Sequence, residues 1–138
     1  MALLSIFDIS GSALNAQSVR LNTVASNMAN ADTVSDDPNT AYRARLPVFS
    51  TLLHEFSDPQ KAAGVQVLGV MESDAPPVAR YEPNHPMADA QGYVYAPAIN
   101  MVEEMANMIS ASRSYQNNVE VLNTSKQLLL RTLNMGNQ

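Results

Sequence analysis

The stretch from residue 100 to residue 138 reads NMVEEMANMISASRSYQNNVEVLNTSKQLLLRTLNMGNQ. Within it Met101, Met105, Met108, Ser112, Tyr115, Val119, Leu122, Lys126, Leu129 and Leu133 recur at alternating intervals of four and three. That is the heptad rhythm of a helix that buries one stripe. Val102, Ile109 and Leu130 widen the stripe. Asn100 stands before it as an N-cap, and Glu103, three residues on, fits a capping box. Glu103 and Glu104 sit at the positive end of the helix dipole, with Lys126 and Arg131 at the negative end. Gly136 is a natural stop. The stretch 100–138 is therefore expected to be a C-terminal coiled-coil helix.

The same rhythm returns at the other end. Leu3, Phe7, Ser10, Leu14, Gln17, Leu21, Val24, Met28 and Ala31 keep the 4,3 spacing and predict an N-terminal coiled-coil helix over 1–31. Gly11 is its one breaker, at about 1 kcal/mol relative to Ala. All eight Pro lie between Pro38 and Pro97, so neither end contains one. Residues 32–99 then form a Pro-punctuated insert of short strands and loops. Tyr42, Ala44, Leu46 and Val48 alternate with Arg43 and Arg45, as in a half-buried strand. Val65, Val67, Gly69 and Met71 suggest a second strand, and residues 92–95 a third. Residues 50–56 fit a short helical turn, while 35–39 and 74–77 read as loops. The expected fold class is mainly α: two long helices in an antiparallel coiled coil, bracketing a small β-rich insert.

Composition removes several kinds of function. The 138 residues carry 8 Lys+Arg against 13 Asp+Glu, a net charge of −5, which argues against nucleic-acid binding. Cys is absent, so there is no disulfide framework and no thiolate. The longest apolar run is Met1 to Leu4, which rules out direct membrane insertion by a helix. No Lys or Arg precedes Arg20, and no apolar core follows Met1, so a cleaved Sec-type signal peptide is not expected. His54 and His85 share no metal-ligand spacing, and no phosphate loop or dinucleotide fingerprint occurs. Glu72, Asp74, Glu82 and Asp89 flank prolines as solvated loop acids. No catalytic residue, metal site or cofactor is expected, and the chain is not read as an enzyme.

The charged fraction is 15%, below the usual ~25%, and 13 Asn help to fill the gap. Such a surface suits packing against protein. The N-terminal seam carries Ser10 and Gln17, the C-terminal one Ser112 and Lys126. A two-helix coil built on these seams should be weak alone, and the middle of the chain offers no third long helix. The helices are expected to fold fully only among copies or relatives of themselves. The residues expected at such an assembly interface are Leu3, Phe7, Leu14, Gln17, Arg20, Leu21, Asn22, Val24, Asn27, Met28 and Asn30 on the first helix. On the second they are Met105, Met108, Arg113, Tyr115, Asn118, Val119, Leu122, Asn123, Leu129 and Leu133. The Asn side chains both donate and accept across a helix contact and can fix register. Arg20 and Arg113 offer fork-shaped cations near helix middles.

At this level the residues resemble a known family. SGSALNAQ at 10–17, RLN at 20–22 and ASNMANADT at 25–33 resemble the N-terminal signature of bacterial flagellar rod and hook proteins. ASRSYQNNVEVLNT at 111–124 resembles their C-terminal signature. YEP at 81–83, PMAD at 86–89 and GYV at 92–94 point to a rod member. Many relatives carry Pro-Gly-Tyr after the Asn-rich segment. Here TVSDD at 33–37 replaces it, so the first connector is expected to take a different path.

The resemblance implies a structural subunit of the basal-body rod. Such subunits self-assemble helically into a shaft that crosses the periplasm, their terminal helices lining an export channel. It implies export through the flagellar type III apparatus. It also implies homo- and hetero-oligomeric partners: proximal and distal rod subunits, a basal adaptor protein and the MS ring. Two other readings stand beside it. One is a cytosolic coiled-coil adaptor or export chaperone of a type III system, which would not itself be secreted. The other is a small periplasmic enzyme, which would need a convergent acid pair.

Overall fold

The computed structural model describes residues 2–52 and 64–136, with side chains from residue 5 onward. Helix α1 runs over Ala2–Asn30, followed by strands β1 (Arg45–Leu52), β2 (Gly64–Glu72), β3 (Val78–Tyr81) and β4 (Tyr93–Ala96), and helix α2 over Met101–Gly136. The chain is mainly helical, with a small insert of antiparallel strands.

Local chemistry sets the helix ends. At the start of α2 the Asn100 side-chain oxygen accepts from the Val102 and Glu103 amides at 3.1 and 3.4 Å, the expected N-cap. The cap is one-sided, because among the described residues Glu103 returns no bond. At the end of α1 the Thr33 amide and hydroxyl both donate to the Asn30 carbonyl, at 3.1 and 2.7 Å, and turn the chain out of the helix.

The helices pack against each other along most of their length. An Arg20 guanidinium nitrogen donates to Asn107 Oδ1 at 3.0 Å and fixes their register. Running antiparallel from that point, α1 reaches α2 as far as about residue 125. Ser125 is indeed buried, which a parallel pair in this register would not allow. The same register sets Ala16 level with Ala111, and both are buried. Small side chains there let the two backbones come close.

Strands β1 and β2 form a ribbon against the other side of α1. Arg45 pairs with Glu72 and Leu52 with Gly64, with a bulge opposite Val48 and Phe49 that leaves Leu68 as the extra residue. Two latches hold the ribbon. Asn27 grips Arg45 at one end, and Ser12 Oγ accepts the Val65 amide at 3.1 Å at the other. Fifteen residues of helix span about 22 Å, and the six steps of strand from Arg45 to Thr51 span about 20 Å. The ribbon therefore lies along α1 without strain. Strands β3 and β4 form a second hairpin, tied to the loop after α1 by reciprocal Ser35–Tyr95 backbone bonds of 3.0 and 2.9 Å.

Three expectations about the insert change. The first strand starts at Arg45, three residues later than Tyr42, and Leu46 is half exposed, so the ribbon does not bury one clean face. Ser50, Thr51 and Leu52 are strand where a helical turn was expected, because they pair with Gln66, Val65 and Gly64. The rest of that turn, 53–56, lies outside the described residues. Strand β3 was not anticipated from the sequence at all.

Candidate assembly surfaces

Asn27 is the most constrained polar residue, at 1% exposure. Its Nδ2 donates to the Arg45 carbonyl at 2.9 Å, and its Oδ1 accepts the Arg45 amide at 2.8 Å and the Tyr42 hydroxyl at 3.1 Å. Tyr42 also meets Ser26 Oγ at 3.0 Å, and the Arg45 guanidinium lies 5.6 Å from the Tyr42 ring centroid. Asn27 thus binds one strand residue through both halves of its amide and acts inside the chain. Asn30 and Asn118 turn back on their own helices, donating to the Ser26 and Ser114 carbonyls, each at 2.8 Å. Arg20 is committed to Asn107.

The α1 seam positions from Phe7 to Ala31 all face protein at least in part, and Ser10 and Val24 are buried. The side chain of Leu3 lies outside the described residues. The open positions on α1 are Asp8, Gly11, Asn15, Asn22, Ala25 and Ala29. They make a narrow stripe of small and polar residues, and Asn22 is the one expected interface residue on it.

On α2 the buried centre is rotated from the expected stripe: among the described residues Ala111 and Ser125 are buried, both just off it. Glu104, Met108, Asn118, Leu122 and Leu129 are half-buried, and so are Met101, Ser112 and Val119 of the expected stripe. Met105, Lys126 and Leu133 are exposed, as is the middle position Arg113, while Tyr115 and Asn123 stand at the edge or outside. Val102, Met105 and Ile109 form a second apolar row with no cover among the described residues. Gln17 Oε1 and Glu104 Oε2 are buried acceptors without a donor among the described residues, one on each side of the Arg20–Asn107 contact.

The β3–β4 unit is ordered around Asp89. Its Oδ1 accepts the Tyr93 amide at 2.8 Å and the Gln91 amide at 2.9 Å, and its Oδ2 accepts the Tyr95 hydroxyl at 3.2 Å. The Tyr93 amide above all holds the Asp89 carboxyl below its ordinary range, against some desolvation; the other donors add to it. Desolvation first, and then the Asp89 carboxylate, push the Tyr95 hydroxyl up. Gly92 adopts φ +84° in the turn, where a Cβ would come within 3.0 Å of Tyr81 and 3.1 Å of Pro83. Tyr81 and Tyr93 meet edge to face at 5.2 Å. This arrangement braces the turn from Asp89 to Tyr93.

Among the described residues the buried apolar side chains are few and small: Ala16, Val24, Ala41, Val94, Ala96 and Ala111. The accessible surface is 9661 Å² for 14.9 kDa, against about 7,000 Å² for a compact monomer of that mass. The excess exceeds the ~1,600 Å² total of a standard protein interface. Among the described residues no helix is long and apolar enough to cross a membrane, and no group of His, Cys, Asp and Glu could hold a metal ion.

Comparison with known proteins bears on these surfaces. Residues 7–34 match the family "Flagella basal body rod protein", and residues 90–135 match "Flagellar basal body rod FlgEFG protein C-terminal". The chain is 54% identical over 136 residues to the flagellar basal-body rod protein FlgC of Salmonella typhimurium, covering 99% of each chain. It is equally similar to the FlgC of Escherichia coli O157:H7, at 54% over 136 residues and 99% of each. The FlgC of Buchnera aphidicola from Acyrthosiphon pisum is 41% identical over 138 residues, again covering 99% of each.

Proposed function

The chain belongs to the FlgC family of flagellar basal-body rod proteins, and on that footing we propose that it is a rod subunit whose two helices are completed by its neighbours. It is a structural protein of the flagellar basal body and assembles there with other basal-body components. The observation that carries this is identity above one half over essentially the whole length of the Salmonella relative. The alternative of a cytosolic adaptor or chaperone gains no support from these relatives.

Finer points follow as proposals. Residues 1–31 and 100–138, which hold α1 and α2, form the inner rod unit around the export channel, and 32–99 is the outer insert. Neighbours are proximal and distal rod subunits, the basal adaptor and the MS ring, and export runs through the flagellar type III apparatus. The chain carries no catalytic function. Neighbouring helices cover the α1 stripe around Asn22 and the α2 row around Met105, together with Arg113, Tyr115, Asn123 and Leu133. Asn27 and Arg20 contribute by holding the hairpin and ribbon in place. Support comes from the sparse core and the excess surface.

The test is a deletion strain complemented by the chain or by Arg113→Ala. The parent chain restores swimming and is recovered in isolated basal bodies. The variant is expressed normally but assembles rods poorly. Absence of the parent chain from basal bodies would overturn the rod reading, and normal swimming by the variant would remove the role of Arg113.

A further inference from the structure

The two edges of the β1–β2 ribbon are closed unequally. The Ser73 amide donates to the Ala44 carbonyl at 2.7 Å, which makes 44 and 73 a hydrogen-bonded pair of the ladder. Antiparallel pairs alternate. The register therefore directs the backbone groups of Arg45 and Pro47 on β1, and of Val70 and Glu72 on β2, away from the partner strand. Asn27 gives the same phase, since it bonds both the amide and the carbonyl of Arg45. On β1, then, Asn27 stands in for a neighbouring strand, and Pro47 has no N–H to offer. On β2 the Val65 amide is taken by Ser12 Oγ. Val70 and Glu72 are not capped: among the described residues no hydrogen bond from outside the ladder reaches their N–H or C=O groups. The path of α1 explains the difference. It meets the outer edge of β2 at Ser12 and that of β1 at Asn27, so it crosses the ribbon diagonally and leaves the β2 edge clear at 70–72. The open stretch is bracketed by the bulge at Leu68 and by Pro76 and Pro77. The outward groups of Phe49 and Thr51 on β1 adjoin 53–63, outside the described residues.

Beside the open edge lies a cleft of about 440 Å³ between Val19, Asn22 and Ser26 of α1 and Arg45, Val70 and Glu72 of the ribbon. Val70 and Glu72 share the face toward it. Met71, 62% exposed, lies on the opposite face with its cross-strand partner Leu46. We propose that the β2 edge at 70–72 receives an extended segment of a neighbouring basal-body protein as a third strand, with an Asn or Gln side chain seated in the cleft and an apolar residue beside Met71. Backbone bonds to Val70 and Glu72 hold an extended chain, while the cleft and Met71 select among chains. Arg45 and Glu72 cancel in charge, so a charged side chain in the cleft would meet its like. An amide donates toward the one and accepts from the other. The described strands of this chain do not supply that pattern. At outward positions β1 offers Phe49 and Thr51, and β3, whose phase is set by the Ser35–Tyr95 bonds, offers Ala79 and Tyr81. The occupant is therefore another protein. The inference rests on the rod reading for its setting and adds to it a contact made through a strand.

Amide exchange tests this. In the free chain the outward amides of Val70 and Glu72 should exchange fast, while that of Met71, a ladder donor, is slow. In basal bodies isolated from a deletion strain complemented by the full-length chain, both should slow by at least about 100-fold. Val70→Pro removes one outward N–H and no ladder bond, directly opposite Pro47. It should melt within about 5 °C of the parent and be recovered in basal bodies at least about tenfold less. Val70→Thr keeps the N–H and should be recovered like the parent. Glu72→Gln removes the charge and keeps an acceptor, and should change recovery by less than about twofold. Unchanged exchange at Val70 and Glu72 in basal bodies that contain the chain would overturn the inference, as would parent-level recovery of a folded Val70→Pro. A larger loss with Glu72→Gln marks a cationic anchor and overturns the occupant. Protection of both amides already in the concentrated free chain, with a doubled mass by sedimentation, would put a second copy on the edge and overturn it too. If Val70→Pro does not fold, exchange in the parent chain decides. Absence of the parent chain from basal bodies overturns the rod reading as well, so the two failures are told apart.

Discussion

Replacing Asn27 by Ala removes three hydrogen bonds at one point, two to the Arg45 backbone and one from the Tyr42 hydroxyl. Each is worth about 1 kcal/mol net, and the freed Arg45 amide and carbonyl carry a further cost wherever water cannot reach them. The expected loss is about 2–4 kcal/mol. For a domain of this size that lowers the melting midpoint by about 6–15 °C. The loss is not spread evenly. Asn27 ties β1 to α1, whereas Arg20–Asn107 and the Ala16–Ala111 level hold α1 to α2. Hydrogen exchange at the Arg45 amide should accelerate far more than at amides in the middle of α1.

Tyr42→Phe deletes only the hydroxyl and should cost about 0.5–1.5 kcal/mol. In the double variant the Tyr42 hydroxyl has already lost one of its partners, so the two losses should sum to less than additivity by at least about 0.5 kcal/mol. Asn27→Asp keeps the acceptor for the Arg45 amide but turns an oxygen toward the Arg45 carbonyl. It should destabilise about as much as Ala. Thermal melts followed by circular dichroism provide the stabilities. Should Asn27→Ala fall within about 0.5 kcal/mol of the parent, or should the double variant be strictly additive, the latch assigned to Asn27 is wrong.

Gly92→Ala forces a side chain into a left-handed turn against Tyr81 and Pro83, and should cost about 1–3 kcal/mol. Faster exchange of the Glu82 amide, which donates to the Gly92 carbonyl at 2.9 Å, reports it. The folded-state value of Asp89 lies below the ordinary 3.8, so its stabilisation is complete above that value and is lost as pH falls through the lowered one. Asp89→Asn should therefore flatten the acid limb of a stability–pH curve below about pH 4 and leave the limb near neutrality parallel to the parent. Ala111→Leu overpacks a fully buried site on α2 and should cost about 1–3 kcal/mol in the isolated chain. Leu133→Ala should leave that stability unchanged within about 0.5 kcal/mol and reduce incorporation into rods.

Both helices were legible because their signals are local. The 4,3 spacing, the confinement of Pro to 38–97 and the Asn100 cap lie within one helix or at its edge. The role of Asn27 was not legible. An Asn in a helical seam reads as a partner for another helix, yet its partner is a strand backbone 18 residues on. Strand β3 was missed because VARY at 78–81 is short, follows two prolines and is exposed throughout, so nothing in its pattern separates it from a loop. Its existence depends on pairing with β4, a non-local fact.

The rotation of the α2 seam has a different cause. Large apolar residues lie on several sides of α2, so two stripes fit the same rhythm, sharing Met108, Tyr115, Leu122 and Leu129. Hydrophobicity favours the stripe through Met105 and Val119. The structure buries Ala111 and Ser125 of the other stripe, leaves Val119 as half-buried as Asn118, and exposes Met105. Close approach decides between them. A helix pair that meets at Ala16 and Ala111 has no room for Met or Leu at those levels, so the bulky side chains swing outward. A chain selected to stand alone would be expected to place its largest residues inward, since each is worth about 1.5–3 kcal/mol when fully buried. Putting Ala and Ser in their place gives up that stabilisation within the monomer. In the proposed assembly, neighbours that cover Val102, Met105 and Ile109 recover it. Seam rotation and the incomplete core thus have one physical origin: the side chains that would have filled the single molecule are displayed on its outside.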